Sequence, residues 1–93
     1  MIEREGQVEV IAYFSKEQDE PIPLKVRLVE NEERIVIKVE YVEDIKYITA
    51  DLISYICTSI INGVEKRYEL AYHQREMYWS LIMRGQFLRQ RLP

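Results

Sequence analysis

Apolar and polar residues alternate along most of the chain with a period of two. Val8, Val10 and Ala12 share one parity and alternate with Gln7 and Glu9. Such alternation is typical of strands that bury one face of a sheet. The pattern recurs several times, so the sequence predicts strands near 8–14, 24–29, 34–41, 51–61, 64–73 and 77–83. The parity of these strands assigns to the core, among others, Phe14, Leu24, Tyr41, Met77 and Trp79.

The segments between these strands carry residues that favour turns. Residues 15–23 are mostly polar and contain two prolines, which predicts a loop. Asn31-Glu32 can form a tight turn between the second and third strands. Asn62-Gly63 is the strongest turn motif, because both residues tolerate the positive φ that a type I′ hairpin turn requires. The turns therefore predict antiparallel neighbours.

The fold expected from this pattern is mostly β: a single small antiparallel barrel or a strongly curved sheet of about six strands. A chain of 93 residues fits one domain over 1–93. We place its core over 7–84 and a C-terminal tail over 85–93. In this tail Phe87, Leu88 and Leu92 have the spacing that a short helix would place on one side, so a short C-terminal helix is also expected.

Residues 44–61 allow a second interpretation. Ile45, Ile48, Leu52 and Ile56 fit helical spacing, which would give an α+β fold with a helix at 44–61. The segment is also rich in isoleucine and threonine, and β-branched side chains favour strands over helices. We therefore prefer a strand over 51–61.

Several local motifs follow one another in a fixed order. They are a Pro-led second strand at 22–27, an apolar strand at 35–39, Tyr-Ile-Cys at 55–57, the Asn-Gly hairpin at 62–63, a Tyr-Glu-Leu strand at 68–72 and a closing Trp strand at 79–81. In these motifs the chain resembles a group of short bacterial proteins of unknown function, over most of residues 8–83. The resemblance implies a small all-β barrel and implies no activity.

Charge is unevenly distributed along the chain. Residues 1–44 carry twelve acids and six bases, whereas residues 45–93 carry four acids and seven bases. The overall charge of −3 does not favour general nucleic-acid binding, although a local basic surface can still provide it. A nucleic-acid-binding barrel is therefore the alternative function, and a small-ligand-binding barrel is a second alternative. The basic surface would comprise Lys66, Arg67, Arg75, Arg84, Arg89 and Arg91.

The inventory of reactive side chains is small. His73 and Cys57 are the only histidine and the only cysteine, and a catalytic pair would also need a third group to orient the base. A metal site built from His73, Glu69 and Glu76 needs three ligands at compatible geometry, but Glu69 and His73 lie four residues apart on one strand face, which is a long span. We expect no enzyme, no catalytic residue, no cofactor and no metal.

Apolar residues also occupy several outward positions of the predicted strands. An exposed apolar patch is typical of an interaction surface. The leading hypothesis is therefore a non-enzymatic interaction module that binds a copy of itself or another protein. The predicted partner surface comprises Ile11, Tyr13, Val36, Tyr55, Tyr78 and Ile82.

The sequence also carries expectations about location. Residues 1–6 have neither a basic nor an apolar region, so they do not resemble a secretory signal. The most apolar stretch, 52–61, is about half of what a membrane span needs. A single cysteine cannot form an internal disulfide. We expect a cytoplasmic protein without a membrane partner.

Overall fold

The computed structural model describes residues 3–30 and 32–84, and every regular element in these ranges is a β-strand. The predicted mostly β fold is confirmed, with seven strands instead of about six. The predicted helix in the tail lies outside the described residues. The strands are β1 (Glu3–Tyr13), β2 (Ile22–Glu30), β3 (Glu33–Lys38), β4 (Tyr41–Thr49), β5 (Leu52–Ile61), β6 (Val64–His73) and β7 (Tyr78–Arg84).

All seven strands form one antiparallel sheet in the order β3-β2-β1-β7-β6-β5-β4. β3 and β4 lie at opposite edges, yet only Val39 and Glu40 separate them along the chain. Adjacent strands are about 4.8 Å apart, so two residues could not connect the edges of a flat sheet of this width. The sheet therefore curls. Val39 donates its N–H to Leu24 O at 2.9 Å, and Glu40 donates its N–H to Thr58 O at 2.8 Å.

The sheet is strongly curved but not closed, because β3 and β4 remain its two edges in the described part of the chain. The expected barrel is therefore not observed. The predicted single strand over 34–41 is also wrong. The chain leaves β2 after Lys38 and joins β5 at Tyr41, opposite Thr58. β4 contains register shifts between Val42 and Asp44 and between Tyr47 and Thr49. Such bulges increase the local twist of an edge strand.

The alternative helix at 44–61 is wrong, since these residues form the end of β4, a turn at Ala50-Asp51 and the whole of β5. Tertiary pairing with β4 and β6 on both sides stabilises β5 as a strand. The predicted hairpin turn is present. Asn62 has φ 54° and Gly63 has φ 76°, and both angles lie in the left-handed region that a type I′ turn requires.

The concave face of the sheet holds the core. Its centre is formed by Tyr55, Tyr72 and Trp79, with ring centroids 5.3 Å apart for Tyr55 and Trp79. The prediction that Trp79 is a core residue is confirmed, since its side chain is buried. The other residues of this core cluster are Val26, Leu28, Ile37, Val39, Ile53, Cys57, Tyr68, Leu70 and Leu81.

Four side chains assigned to the core by parity are exposed instead: Phe14, Leu24, Tyr41 and Met77. Phe14 lies beyond the end of β1. Tyr41 follows residues 39–40, where the chain passes from edge strand β3 to edge strand β4. Met77 has φ 60° in the turn before β7. Leu24 lies beside the register shift between β1 and β2, where Ala12 pairs with Pro23. Parity therefore failed where a strand ends, bulges or changes partner.

Candidate interaction surface

The structure divides the predicted partner surface into three parts. Ile11, Tyr13 and Val36 are exposed on the convex face of β1, β2 and β3. Tyr78 and Ile82 are half-buried on the convex face of β7. Tyr55 is fully buried, so its assignment to the surface is wrong. The predicted set is thus not one continuous surface.

Tyr55 is buried because the parity of β5 is the reverse of the expected one. β5 has apolar residues at both parities, and Ile53, Tyr55 and Cys57 are the ones that face the core. The Tyr55 hydroxyl donates a hydrogen bond of 2.6 Å to Pro21 O, in the loop before β2. Burial raises the pKa of Tyr55 above its ordinary value, and the nearby Glu20 carboxylate adds to this effect.

We call the outward side chains of residues 9–13 of β1, 25–29 of β2 and 34–38 of β3 the β1–β3 face. Ile11 and Val36 are 61% and 60% exposed, although both are aliphatic. They line one groove of about 320 Å³ on this face. The groove is lined by Glu9, Val10, Ile11, Lys25, Val26, Arg27 and Val36. The β1–β3 face comprises Glu9, Ile11, Tyr13, Lys25, Arg27, Val29, Arg34, Val36 and Lys38.

The β1–β3 face is cationic. Arg27 forms an ion pair with Glu9 across β1 and β2. Lys25 and Lys38 occupy directly opposite positions of β2 and β3. In the described part of the chain, none of Lys25, Lys38 and Arg34 forms an ion pair. With four cations and one carboxylate, the face carries a net charge of +3.

The basic surface predicted for the C-terminal half is not assembled by its described members. Arg67 forms an ion pair with Glu43 at 3.0 Å, and Arg75 forms one with Asp51 at 2.9 Å. Lys66 is half-buried and lies on the other face of β6 from Arg67, because neighbouring residues of a strand alternate. The side chains of Arg84, Arg89 and Arg91 lie outside the described residues.

Sequence reasoning missed Lys25, Arg34 and Lys38, which come from the acidic half of the chain. The feature that identifies them is local: each occupies an outward position of the β2–β3 hairpin. Other acids of the same half lie in loops, as do Glu17 and Asp19, at the hairpin end, as do Glu32 and Glu33, or on β4. A sum over 44 residues therefore conceals a cationic face.

Cys57 and His73 do not form a nucleophile–base pair. Cys57 is buried in the core, whereas His73 is on the convex face and is opposite Leu52, five positions further along the ladder. Burial, with a smaller contribution from Glu43, raises the pKa of Cys57 to about 12. The thiolate form that attacks substrates is therefore scarce at neutral pH.

The groups around His73 hold it within the sheet. Its Nε2 atom lies 2.9 Å from Ser80 Oγ, and its ring stacks on Tyr78 with centroids 4.1 Å apart. Glu69, which the sequence offered as a second ligand of a metal site with His73, accepts a hydrogen bond from Ser54. Within the described ranges, no group of three or more His, Cys, Asp or Glu residues is placed to hold a metal ion.

Comparisons of the chain with protein-family models, with curated proteins and with solved structures found no match. Residues 3–30 and 32–84 contain no helix of the length and hydropathy needed to span a membrane. The geometry of the β1–β3 face is therefore the main evidence on function.

Proposed function

We propose that this chain is a non-enzymatic protein-interaction module and that the β1–β3 face is its contact surface. The observation that carries the proposal is the exposure of Ile11 and Val36 on either side of one groove. Val29 and Tyr13 extend the same face with further exposed apolar area. Exposed apolar side chains that line one groove with polar residues around it are typical of interaction sites.

Burial of this surface would stabilise a complex. Fully burying one aliphatic side chain contributes about 1.5–3 kcal/mol. Ile11 and Val36 already lie on a rigid antiparallel sheet, so binding them costs little backbone entropy. The groove volume of about 320 Å³ is at the lower end of the range for small-molecule pockets, about 300–1,000 Å³. A groove of this size has room for an apolar side chain of a partner protein.

The non-enzymatic part of the proposal is supported by the state of the reactive side chains. Cys57 is buried with a raised pKa, and His73 is engaged by Ser80 and Tyr78. Arg67 and Arg75 are neutralised by Glu43 and Asp51, which favours the protein-interaction proposal over a nucleic-acid site in the C-terminal half.

Site-specific photo-crosslinking in living cells tests the proposal. A photoreactive amino acid replaces Val36 in one variant and Ile48 in a matched control, since Ile48 is similarly exposed but lies on β4. We expect a discrete protein adduct at position 36 that disappears when Ile11→Asp is added. Equal adducts at both positions, or an adduct that survives Ile11→Asp, would contradict the assignment of the β1–β3 face.

A further inference from the structure

Two positive charges lie opposite each other on the β1–β3 face, beside its apolar groove. Lys25 and Lys38 are directly opposite each other on β2 and β3, where Cβ atoms are about 4.5–5.5 Å apart. Like charges in this position destabilise a sheet. Arg34 lies on the same strand and the same face as Lys38, four residues away. A carboxylate placed between Lys25 and Lys38 would interact favourably with both.

Apolar and cationic side chains are neighbours on this face. Ile11 pairs with Lys25 across β1 and β2, and Arg27 pairs with Val36 across β2 and β3. Each aliphatic side chain therefore has a cation as its cross-strand neighbour. A partner segment that satisfies both kinds of position needs apolar and acidic side chains a few ångströms apart, as an extended acidic peptide provides.

A second copy of this chain does not fit the same face. In a two-fold dimer the same patch of both subunits meets itself. Here this would bring together two faces of charge +3, with only Glu9 as an acid on each, and Glu9 already pairs with Arg27. Charge complementarity therefore favours a partner of opposite charge.

Nucleic acid is the less suitable of the two acidic polymers. Single-stranded nucleic acid binds to surfaces that combine cations with aromatic platforms for the bases. The groove is lined by aliphatic Ile11 and Val36, and Tyr13 is not among its lining residues. The chain as a whole is also acidic, with a net charge of −3.

We infer that the β1–β3 face binds an acidic, partly apolar polypeptide segment in an extended conformation. An apolar side chain of the segment enters the groove lined by Ile11 and Val36. Neighbouring carboxylates lie over Lys25 and Lys38, with Arg34 available for a further acid. The inference rests on the proposed function, because it names the partner of the same surface.

Fluorescence anisotropy with the full chain tests this inference. The probe is a labelled peptide of about eight residues, the length of a typical strand, with the order Glu-Glu-Val-Val-Glu-Glu-Val-Val. In an extended conformation each of its faces then carries both Glu and Val. Its matched control has Lys in place of Glu. We expect the acidic peptide to bind and the basic peptide not to bind. The Lys25→Glu/Lys38→Glu variant should bind the acidic peptide at least about tenfold more weakly, whereas Lys46→Glu on β4 should leave binding unchanged.

The outcomes separate the inference from the proposed function. If both peptides bind equally well and Val36→Asp abolishes both interactions, the apolar contact surface stands and the acidic partner is wrong. If Val36→Asp leaves binding of the acidic peptide unchanged, the contact surface itself is wrong. Absence of binding to the acidic peptide, or tighter binding to a labelled single-stranded oligonucleotide of equal charge, would also overturn the inference.

Discussion

Trp79 packs against Tyr72 across the β6–β7 pair, with their ring centroids 4.6 Å apart and their planes at 34°. The two residues are directly opposite each other in the ladder, and both side chains point into the core. Tyr55 contacts the same indole from β5. Aromatic pairs of this kind contribute about 0.5–1.5 kcal/mol beyond the burial of their area. The curved sheet is therefore held on its concave side by three rings from three neighbouring strands.

Trp79→Ala should bring the protein close to unfolding. Truncation of a buried Trp costs about 3–5 kcal/mol, compared with a total stability of about 5–15 kcal/mol for a domain. Met77→Ala is the matched control, because Met77 is two residues away and exposed; its effect should stay within about 0.5 kcal/mol. Urea unfolding followed by circular dichroism measures both changes. Equal midpoints for the two variants would show that Trp79 does not anchor the core.

Tyr55→Phe should lower the free energy of unfolding by about 1–3 kcal/mol. The substitution keeps the ring and removes the hydroxyl, so the buried Pro21 carbonyl loses its hydrogen bond. Tyr13→Phe removes a hydroxyl from an exposed ring and should change stability little. Thermal or urea unfolding of the two variants provides the comparison. If Tyr55→Phe is as stable as Tyr13→Phe, the loop before β2 is not fixed by this contact.

Local patterns predicted the strands well, because alternation and turn chemistry act over a few residues. The β5–β6 hairpin is an example: Asn62-Gly63 identified the turn, and β6 has the bounds expected from the sequence, Val64–His73. Partner changes could not be predicted in this way. The crossing at Val39-Glu40 depends on backbone hydrogen bonds to Leu24 and Thr58, which are distant in sequence.

Cys57 should make the protein less stable in alkali. The thiol has a pKa of about 12 in the folded chain, compared with 9.0 ordinarily. Between these pH values the unfolded chain binds fewer protons than the folded one, so the free energy of unfolding falls as pH rises. Below about pH 9 the contribution of the protonated thiol is fully present.

Urea unfolding at several pH values from 8 to 11 measures this dependence. Cys57→Ala should show a shallower fall than the wild type, and Tyr68, whose pKa burial raises to about 12, accounts for part of the remaining slope. A thiol reagent should also modify folded wild-type protein much more slowly than unfolded protein at pH 8. Equal rates in the two states would mean that Cys57 is accessible.

The candidate surface was only partly predictable, and the reason is geometric. Ile11, Tyr13 and Val36 follow from parity within regular strands, and all three are exposed. The burial of Tyr55 could not be predicted in this way. β5 has apolar residues on both faces, and parity alone does not show which face packs against the core. The cations Lys25 and Lys38 become neighbours only once the register of the β2–β3 hairpin is known.

Lys38→Glu should stabilise the fold while it impairs binding. The substitution turns the like-charged pair Lys25–Lys38 into an opposite-charged pair at directly opposed positions of β2 and β3. Cross-strand pairs of opposite charge contribute roughly 0.2–1 kcal/mol, and like charges cost stability there. Lys46→Glu is the control and should change stability in the opposite direction. Lys46 Nζ lies 3.8 Å from Asp44 Oδ2, so the substitution would replace an ion pair with two negative charges.

Urea unfolding at low and high salt measures the effect of both variants. We expect Lys38→Glu to unfold at a higher urea concentration than the wild type and Lys46→Glu at a slightly lower one, with both differences reduced by salt. A gain in stability together with weaker binding of the acidic peptide would show that the Lys25–Lys38 pair is retained at the expense of stability, as is common at binding sites. If Lys38→Glu instead destabilises the protein at low salt, the two lysines do not repel each other across the hairpin.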